Sequence, residues 1–212
     1  MNGRELEVKA VVDDPGALAA RLEARGAALA FRGRMSDRRY DTLDRALQAR
    51  DEVLRVRTFV AAGTAGRASE VTWKGPTGRR GGYKAREEHQ LELADPATAA
   101  LILERLGLVV SDATDRCVEF YGWPGEGGRE AAVVRLEWYP RMDVLVEVEG
   151  APDAIEDAVR SSGLARAAFT PDRLLDFAAR YEARTGRKAA LALRDLEPEE
   201  RPEWPAWAPA TR

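Results

Sequence analysis

Along most of this chain apolar and polar residues alternate with a period of two, and the polar member of each pair is usually charged. Residues 4–13, 37–42, 53–60, 68–74, 83–93, 112–121, 131–139 and 143–150 carry the alternation, which is the pattern of a strand with two unlike faces. Four stretches switch to helical spacing, each with a proline near the expected first turn. Asp14-Pro15 leads to Leu18 and Leu22 and a stop at Gly26. Asp95-Pro96 leads to Ala99, Ile102, Leu103 and Leu106 before Gly107. Ala151-Pro152 leads to Ile155, Ala158 and Val159 before Gly163, and Thr170-Pro171 leads to Leu174, Phe177, Ala178 and Tyr181 before Gly186. Each helix has one apolar stripe, which predicts that each packs against another element. Strands in runs, joined by Gly-rich turns at 62–66 and 122–128, predict an α+β, mainly β fold: an antiparallel sheet or barrel with covering helices.

The charged faces carry the functional argument. An ordinary half-exposed strand shows water a mixed polar face. Here Glu5, Glu7 and Lys9 oppose Leu6, Val8 and Ala10; Arg55 and Arg57 oppose Leu54 and Val56; Lys74 opposes Trp73. Lys84, Arg86 and Glu88 oppose Ala85 and Leu91, Arg135 and Glu137 oppose Val134 and Leu136, and Glu147 and Glu149 oppose Val146 and Val148. The helices need the apolar faces, so the charged faces point away from them, and in a closed barrel that direction is the lumen. Unpaired charges in a dry lumen would be unstable, and like charges there would repel one another. A wet lumen of this kind suits a polyanion and its metal ions, because cations neutralise phosphate and carboxylates hold hard divalent ions.

Composition narrows the alternatives. With 33 Lys+Arg against 36 Asp+Glu in 212 residues, the net charge of −3 argues against a nucleic-acid binder. The start, MNGRELEVKA, has no apolar signal-peptide core, and no apolar run approaches the ~18 residues of a membrane span, so a cytoplasmic protein with no membrane partner is expected. Cys117 is the only cysteine and excludes an internal disulfide; without a visible partner base it reads as a small packed residue. His89 is the only histidine, which excludes an HExxH site, and its place on the apolar parity of its strand puts it outside the lumen. Gly75, Gly78, Gly81 and Gly82 lack P-loop spacing and read as a hairpin loop. One domain is expected over 1–194. A Pro/Trp-rich tail follows over 195–212, whose Trp204 and Trp207 either dock on the body or fray with it.

Several of these segments resemble a known family. Glu5-Leu6-Glu7-Val8-Lys9 looks like the ExExK signature of the CYTH superfamily, the triphosphate tunnel metalloenzymes. Arg39-Tyr40-Asp41-Thr42, Leu54-Arg55-Val56-Arg57, Thr72-Trp73-Lys74-Gly75-Pro76, Arg86-Glu87-Glu88 and Glu147-Val148-Glu149 follow in family order, and Glu137 stands ten residues before Glu147. The pattern is most similar to the class IV adenylyl cyclase and thiamine triphosphatase-like members. The resemblance implies an eight-stranded antiparallel tunnel. It implies Mg²⁺ or Mn²⁺ on Glu5, Glu7, Glu147 and Glu149. It places Lys9, Arg55, Arg57, Lys74, Arg86 and Arg116 on phosphate, and Glu88 and Glu137 beside a second metal or the attacking oxygen. Strand parity adds Lys84 and Arg135 to the substrate-binding set. The sequence departs from the family in three places: Thr114 stands where a Lys precedes Arg116, Glu137 replaces an Asp, and Met142-Asp143 replaces a Leu-Gly pair.

The activity so implied is a metal-dependent phosphohydrolase acting on a small triphosphate such as ATP, thiamine triphosphate or tripolyphosphate. Class IV-type cyclisation of ATP to cyclic AMP and pyrophosphate is the first alternative, and a non-catalytic nucleotide- or polyphosphate-binding module is the second. A homodimer is left open.

Overall fold

The alternating segments become nine strands in the computed structural model, which describes residues 3–63, 66–125 and 130–209. They are β1 (Gly3–Val11), β2 (Ala28–Asp41), β3 (Val53–Ala61), β4 (Arg67–Lys74), β5 (Gly78–Arg80), β6 (Tyr83–Glu92), β7 (Val109–Pro124), β8 (Glu130–Trp138) and β9 (Leu145–Gly150). The helices are α1 (Pro15–Ala24), α2 (Ala46–Ala49), α3 (Pro96–Arg105), α4 (Pro152–Ser162) and α5 (Leu174–Thr185). Strands pair antiparallel in the order β1-β9-β8-β7-β2-β3-β4-β6, and β6 pairs back onto β1 to close an eight-stranded barrel. Strand β5 pairs with the start of β6, on the edge that β4 takes further along, as a ninth strand. Closure is set by β1, which uses Gly3–Glu7 for β6 and Glu7–Val11 for β9.

The main hydrophobic core lies between the barrel wall and its covering helices. Val8 and Ala10 of β1, Tyr121 of β7, Leu136 of β8 and Val146 and Val148 of β9 point outward and pack with Leu18 and Leu22 of α1 and Ile155 and Val159 of α4. The Asp14 carboxylate accepts from the Ala17 amide at 2.9 Å and caps α1, while Gly163, at φ 76°, ends α4 in a conformation that a Cβ would strain. Trp207 meets Trp138 edge-on with centroids 5.5 Å apart, and the Arg32 guanidinium covers its other side at 5.3 Å. Trp204 joins the same core, so up to residue 209 the tail is docked on the barrel. A second cluster joins Tyr139, Met142 and Leu145 to Phe177, Ala178 and Tyr181 of α5, which covers the barrel end where β8 finishes and β9 begins.

Three expectations need correction, and one element was not foreseen. Strand β2 starts at Ala28, nine residues earlier than the alternation suggests. Gly33 lies in its interior, where a Cβ would collide with the Val60 carbonyl oxygen, so the glycine marks close strand approach and not a break. Helix α5 starts three residues after Pro171, because Thr170 exchanges both backbone hydrogen bonds with Lys9, at 2.9 and 2.8 Å, and holds the chain extended. Helix α3 forms as expected but buries none of its residues: Ile102 is 54% exposed and Leu106 72%. The short α2 is capped by Asp41, which accepts from the Leu47 and Gln48 amides, a role with no signal in the alternation. The Gly-rich turns fall partly outside the described residues, as does the side chain of Glu5. No described helix is long and apolar enough to cross a membrane.

Leu22 is fully buried between α1 and the barrel. Leu22→Ala is expected to cost about 2–5 kcal/mol in denaturant unfolding. A loss below about 1 kcal/mol would show that α1 is not clamped to the wall.

Candidate functional site

Because side chains alternate along each strand, the faces turned away from the core line the barrel interior. They enclose a cavity of about 620 Å³. Among the described residues ten basic and eleven acidic side chains line it. Lys9, Arg55, Arg57, Lys74, Lys84, Arg86, Arg116, Arg135, Glu7, Glu88, Glu137, Glu147 and Glu149 are all among them, so every sequence-selected residue except Glu5 is placed in one cavity. The backbone of Glu5 pairs with Arg86 across the barrel closure. Thr114 lines the cavity beside Arg116, at the position where the family resemblance led to a Lys. His89 is outside, stacked on Trp73 at 5.8 Å, and Cys117 is packed in the core, where burial pushes its thiol up to about 12.

The mixed acidic and basic lining that the sequence predicts is internally paired. Opposite signs face each other across neighbouring strands. Arg57 of β3 grips Asp37 of β2 through both carboxylate oxygens, at 2.7 and 3.0 Å, and Arg116 of β7 reaches the same carboxylate at 3.2 Å. Arg55 lies 3.7 Å from Asp37 and 3.6 Å from Glu70. Burial works against ionisation of Asp37, but the three guanidinium groups outweigh it and hold the carboxyl well below its usual range. Burial and the neighbouring Arg57 bring Arg55 down to about 10. On the other side of β2 Arg116 also donates to Glu137 at 3.0 Å, and the Tyr139 hydroxyl donates to the other oxygen of Glu137 at 2.6 Å. Burial, followed by the negative charge of Glu137, raises the Tyr139 hydroxyl far above its normal value, so it stays a donor.

The acidic side is cross-linked in the same way. The Lys9 ammonium lies 2.8 Å from Glu7 and contacts Glu147, Lys84 lies 2.6 Å from Glu7, and Arg135 lies 2.5 Å from Glu147 and 3.6 Å from Glu149. Lys74 pairs with Glu88 at 3.1 Å. Arg86 has a second task, donating to the backbone carbonyls of Gly75 and Asp51 and fixing the loops at the rim. Among the described residues no three acidic, His or Cys side chains are gathered closely enough to form a ready metal cluster.

Sequence reasoning missed Asp37, Glu70, Arg39 and Tyr139, all of which line the cavity. Parity with Thr72 and Lys74 points to Glu70, and parity with Glu137 points to Tyr139. Asp37 and Arg39 share a parity, but β2 also carries Arg32, Arg34 and Arg38 on its other face, which removes the contrast.

Comparison with known proteins agrees with this geometry. A family model described as the CYTH domain matches residues 3–121, more than half of the chain. The chain belongs to the CYTH family. No curated protein matches significantly in sequence. Among solved structures, a candidate adenylate cyclase from Vibrio parahaemolyticus superposes with TM-score 0.69 at 17% identity, covering 84% of this chain and 99% of that one. The PH1819 protein of Pyrococcus horikoshii gives 0.66 at 20% identity, over 83% and 98%. HpAC1 of Hippeastrum, a candidate adenylyl cyclase described as having a dominant triphosphatase activity, gives 0.58 at 17% identity, over 88% and 98%. At these identities the likeness establishes the CYTH barrel alone. The family match ends at Tyr121, before Glu137, Glu147 and Glu149, whose place in the cavity rests on the geometry above.

Asp37→Asn leaves three guanidinium groups without their shared anion, and the loss is expected to be about 3–5 kcal/mol at pH 7. Because the folded-state pKa of Asp37 is depressed, its stabilisation is complete above the usual 3.8 and is lost as pH falls below it. The gap between wild type and Asp37→Asn should therefore narrow in melts run below pH 3.8. A constant gap down to the acid transition would contradict the assignment.

Proposed function

We propose that the protein is a divalent-metal-dependent phosphohydrolase acting on the triphosphate of a nucleotide or another small triphosphate compound. The observation that carries this reading is a set of orphaned donors. Arg39, Arg55 and Arg135 all line the cavity, and each has a buried Nε–H with no hydrogen-bond acceptor. A buried donor left unsatisfied costs about 1–3 kcal/mol, and a linear polyphosphate offers acceptors to several at once. Arg55, Arg57 and Lys74 on β3 and β4 would hold it from one side, and Arg116 and Arg135 on β7 and β8 from the other. Lys9, Lys84 and Arg86 would complete the basic lining beside β1 and the rim. Phosphoryl transfer asks mainly for this positioning and charge neutralisation.

Glu5, Glu7, Glu147 and Glu149 are hard oxygen donors of the kind Mg²⁺ and Mn²⁺ take, and they come from the paired strands β1 and β9, so the donor set fits such an ion by its chemistry. When bound, the ion would neutralise phosphate charge and lower the pKa of the attacking group. Glu137 is suited to orient that group: it is almost fully buried, and Arg116 and Tyr139 fix its carboxylate in one direction. Glu88, held by Lys74, is the second acid–base candidate. With water as nucleophile the reaction is hydrolysis. With the ribose 3′-hydroxyl of ATP in its place, the same walls serve cyclisation, the activity named for the Vibrio structure. The many carboxylates weigh against a module that only binds polyphosphate, since they would oppose an anion that came without cations.

Phosphorus NMR of ATP, GTP, thiamine triphosphate and tripolyphosphate with Mg²⁺ or Mn²⁺ tests this reading. Release of orthophosphate or pyrophosphate by water is expected, abolished by excess EDTA and reduced about a hundredfold or more in Glu147→Gln. Cyclic AMP with pyrophosphate would replace hydrolysis by cyclisation, and undiminished turnover in EDTA would remove the metal.

A further inference from the structure

The acidic wall already has a cation in it. The Lys9 ammonium lies between Glu7 of its own strand and Glu147 of β9, buried and in contact with both carboxylates, and Lys84 shares the Glu7 oxygen. The Lys9 backbone is fixed on both sides: β9 pairs with it at Glu147, and Thr170 exchanges two hydrogen bonds with it. Its side chain, four methylenes ending in a compact charge with three rotatable donors, can change partners while the backbone stays still. Arg135, the other partner of Glu147, is more constrained, because its guanidinium also lies 4.8 Å over the Phe120 ring. The carboxylates of Glu7 and Glu147, which would hold a divalent ion, are thus already paired with an ammonium.

We infer that Lys9 is the resident counter-ion of the metal site and an exchangeable one: it occupies the carboxylates of Glu7 and Glu147 until a triphosphate gives its ammonium another anion, and only then are those carboxylates released to a divalent ion. The inference rests on the proposed metal and triphosphate site. The charge count along the wall supports it. Ten cations face eleven anions along the cavity and its rim, so a bare triphosphate drives the balance well negative, and a divalent ion arriving with it offsets part of that charge. Metal and triphosphate therefore bind cooperatively, through a side chain that each must move.

The test is metal binding without turnover. Mn²⁺ is titrated into the full chain in the absence of any phosphate compound, and free Mn²⁺ is read by electron paramagnetic resonance. Lys9→Met keeps the apolar stem and removes the charge. It is expected to bind Mn²⁺ about tenfold or more tightly than wild type, whereas Lys9→Arg binds no better. With a β,γ-imido triphosphate present, wild type should gain affinity for Mn²⁺ and Lys9→Met should gain little. If Lys9→Met does not fold, Lys9→Gln carries the same expectation, and a larger Mn²⁺-induced rise in melting temperature than in wild type reads it out. Equal and tight Mn²⁺ binding by wild type and the neutral variants overturns the counter-ion role while leaving the metal site in place. Folded neutral variants that bind no Mn²⁺ at all overturn the metal site and the inference with it.

Discussion

A carboxylate or guanidinium taken out of water is tolerable only beside its opposite, and this constraint decides how the barrel is built. The antiparallel register supplies the pairing. Arg57 faces Asp37 across β3 and β2, Arg135 faces Glu147 across β8 and β9, and Lys9 faces Glu147 across β1 and β9. A one-residue slip at any of these pairs would turn a charge into the core and an apolar side chain into the lumen. Register is therefore enforced from both surfaces of the wall: apolar packing under α1 and α4 outside, and ion pairs inside. The closing strand β1 bears most of this. It joins both neighbours, brings Glu7 and Lys9 to the seam, and presents Val8 and Ala10 to the core.

That two-sided enforcement is also what made the fold legible. Where one face of a strand is apolar and the other charged, as in β1, β3, β8 and β9, the period of two identifies the strand and assigns each side chain to lumen or core. Thirteen of the fourteen sequence-selected site residues line the cavity for this reason, and the side chain of Glu5 lies outside the described residues. Strand β2 resisted the same reading because it is charged on both faces. Arg32 and Arg38 point outward to Glu119 and Asp115, buried acids of β7, so charge there says nothing about parity. The interior glycine adds to the concealment. Asp37, which organises three arginines, was hidden by its neighbours' chemistry and not by its own.

Helices were easier to locate than to place. Proline before an apolar stripe fixed where α1, α3 and α4 begin, but a stripe states only that something apolar is available to bury. Helices α1 and α4 find the outer faces of β1, β8 and β9. Helix α3 is left with Leu101, Ile102 and Leu106 largely in solvent. In α5 the proline misleads by three residues, because Thr170 is claimed by the edge that Lys9 exposes once β6 has ended. Tertiary pairing thus overrides a local start signal, which a single-sequence reading has no means to weigh.

The same edge links fold to chemistry. Beyond Glu7 strand β1 loses β6 as a neighbour, and Thr170 takes the vacated backbone groups of Lys9. The chain then turns through Arg173, which pairs with Asp51 at 3.1 Å, into α5, so Leu174 and Leu175 reach the rim of the cavity. Asp51 is itself held at φ 56°, accepts from the Thr77 amide at 2.6 Å and gives its carbonyl to Arg86. Three rim segments that are distant in sequence are therefore tied to one residue in a left-handed conformation, an arrangement that costs backbone strain and persists only where its surroundings fix it. The acids of the rim hold loops and the acids of the wall hold cations. Asp41 and Asp51 are spent on backbone amides, and Glu7, Glu137 and Glu147 are left to face the interior. This division of labour lets a barrel with so many carboxylates keep a defined mouth and a separately charged interior.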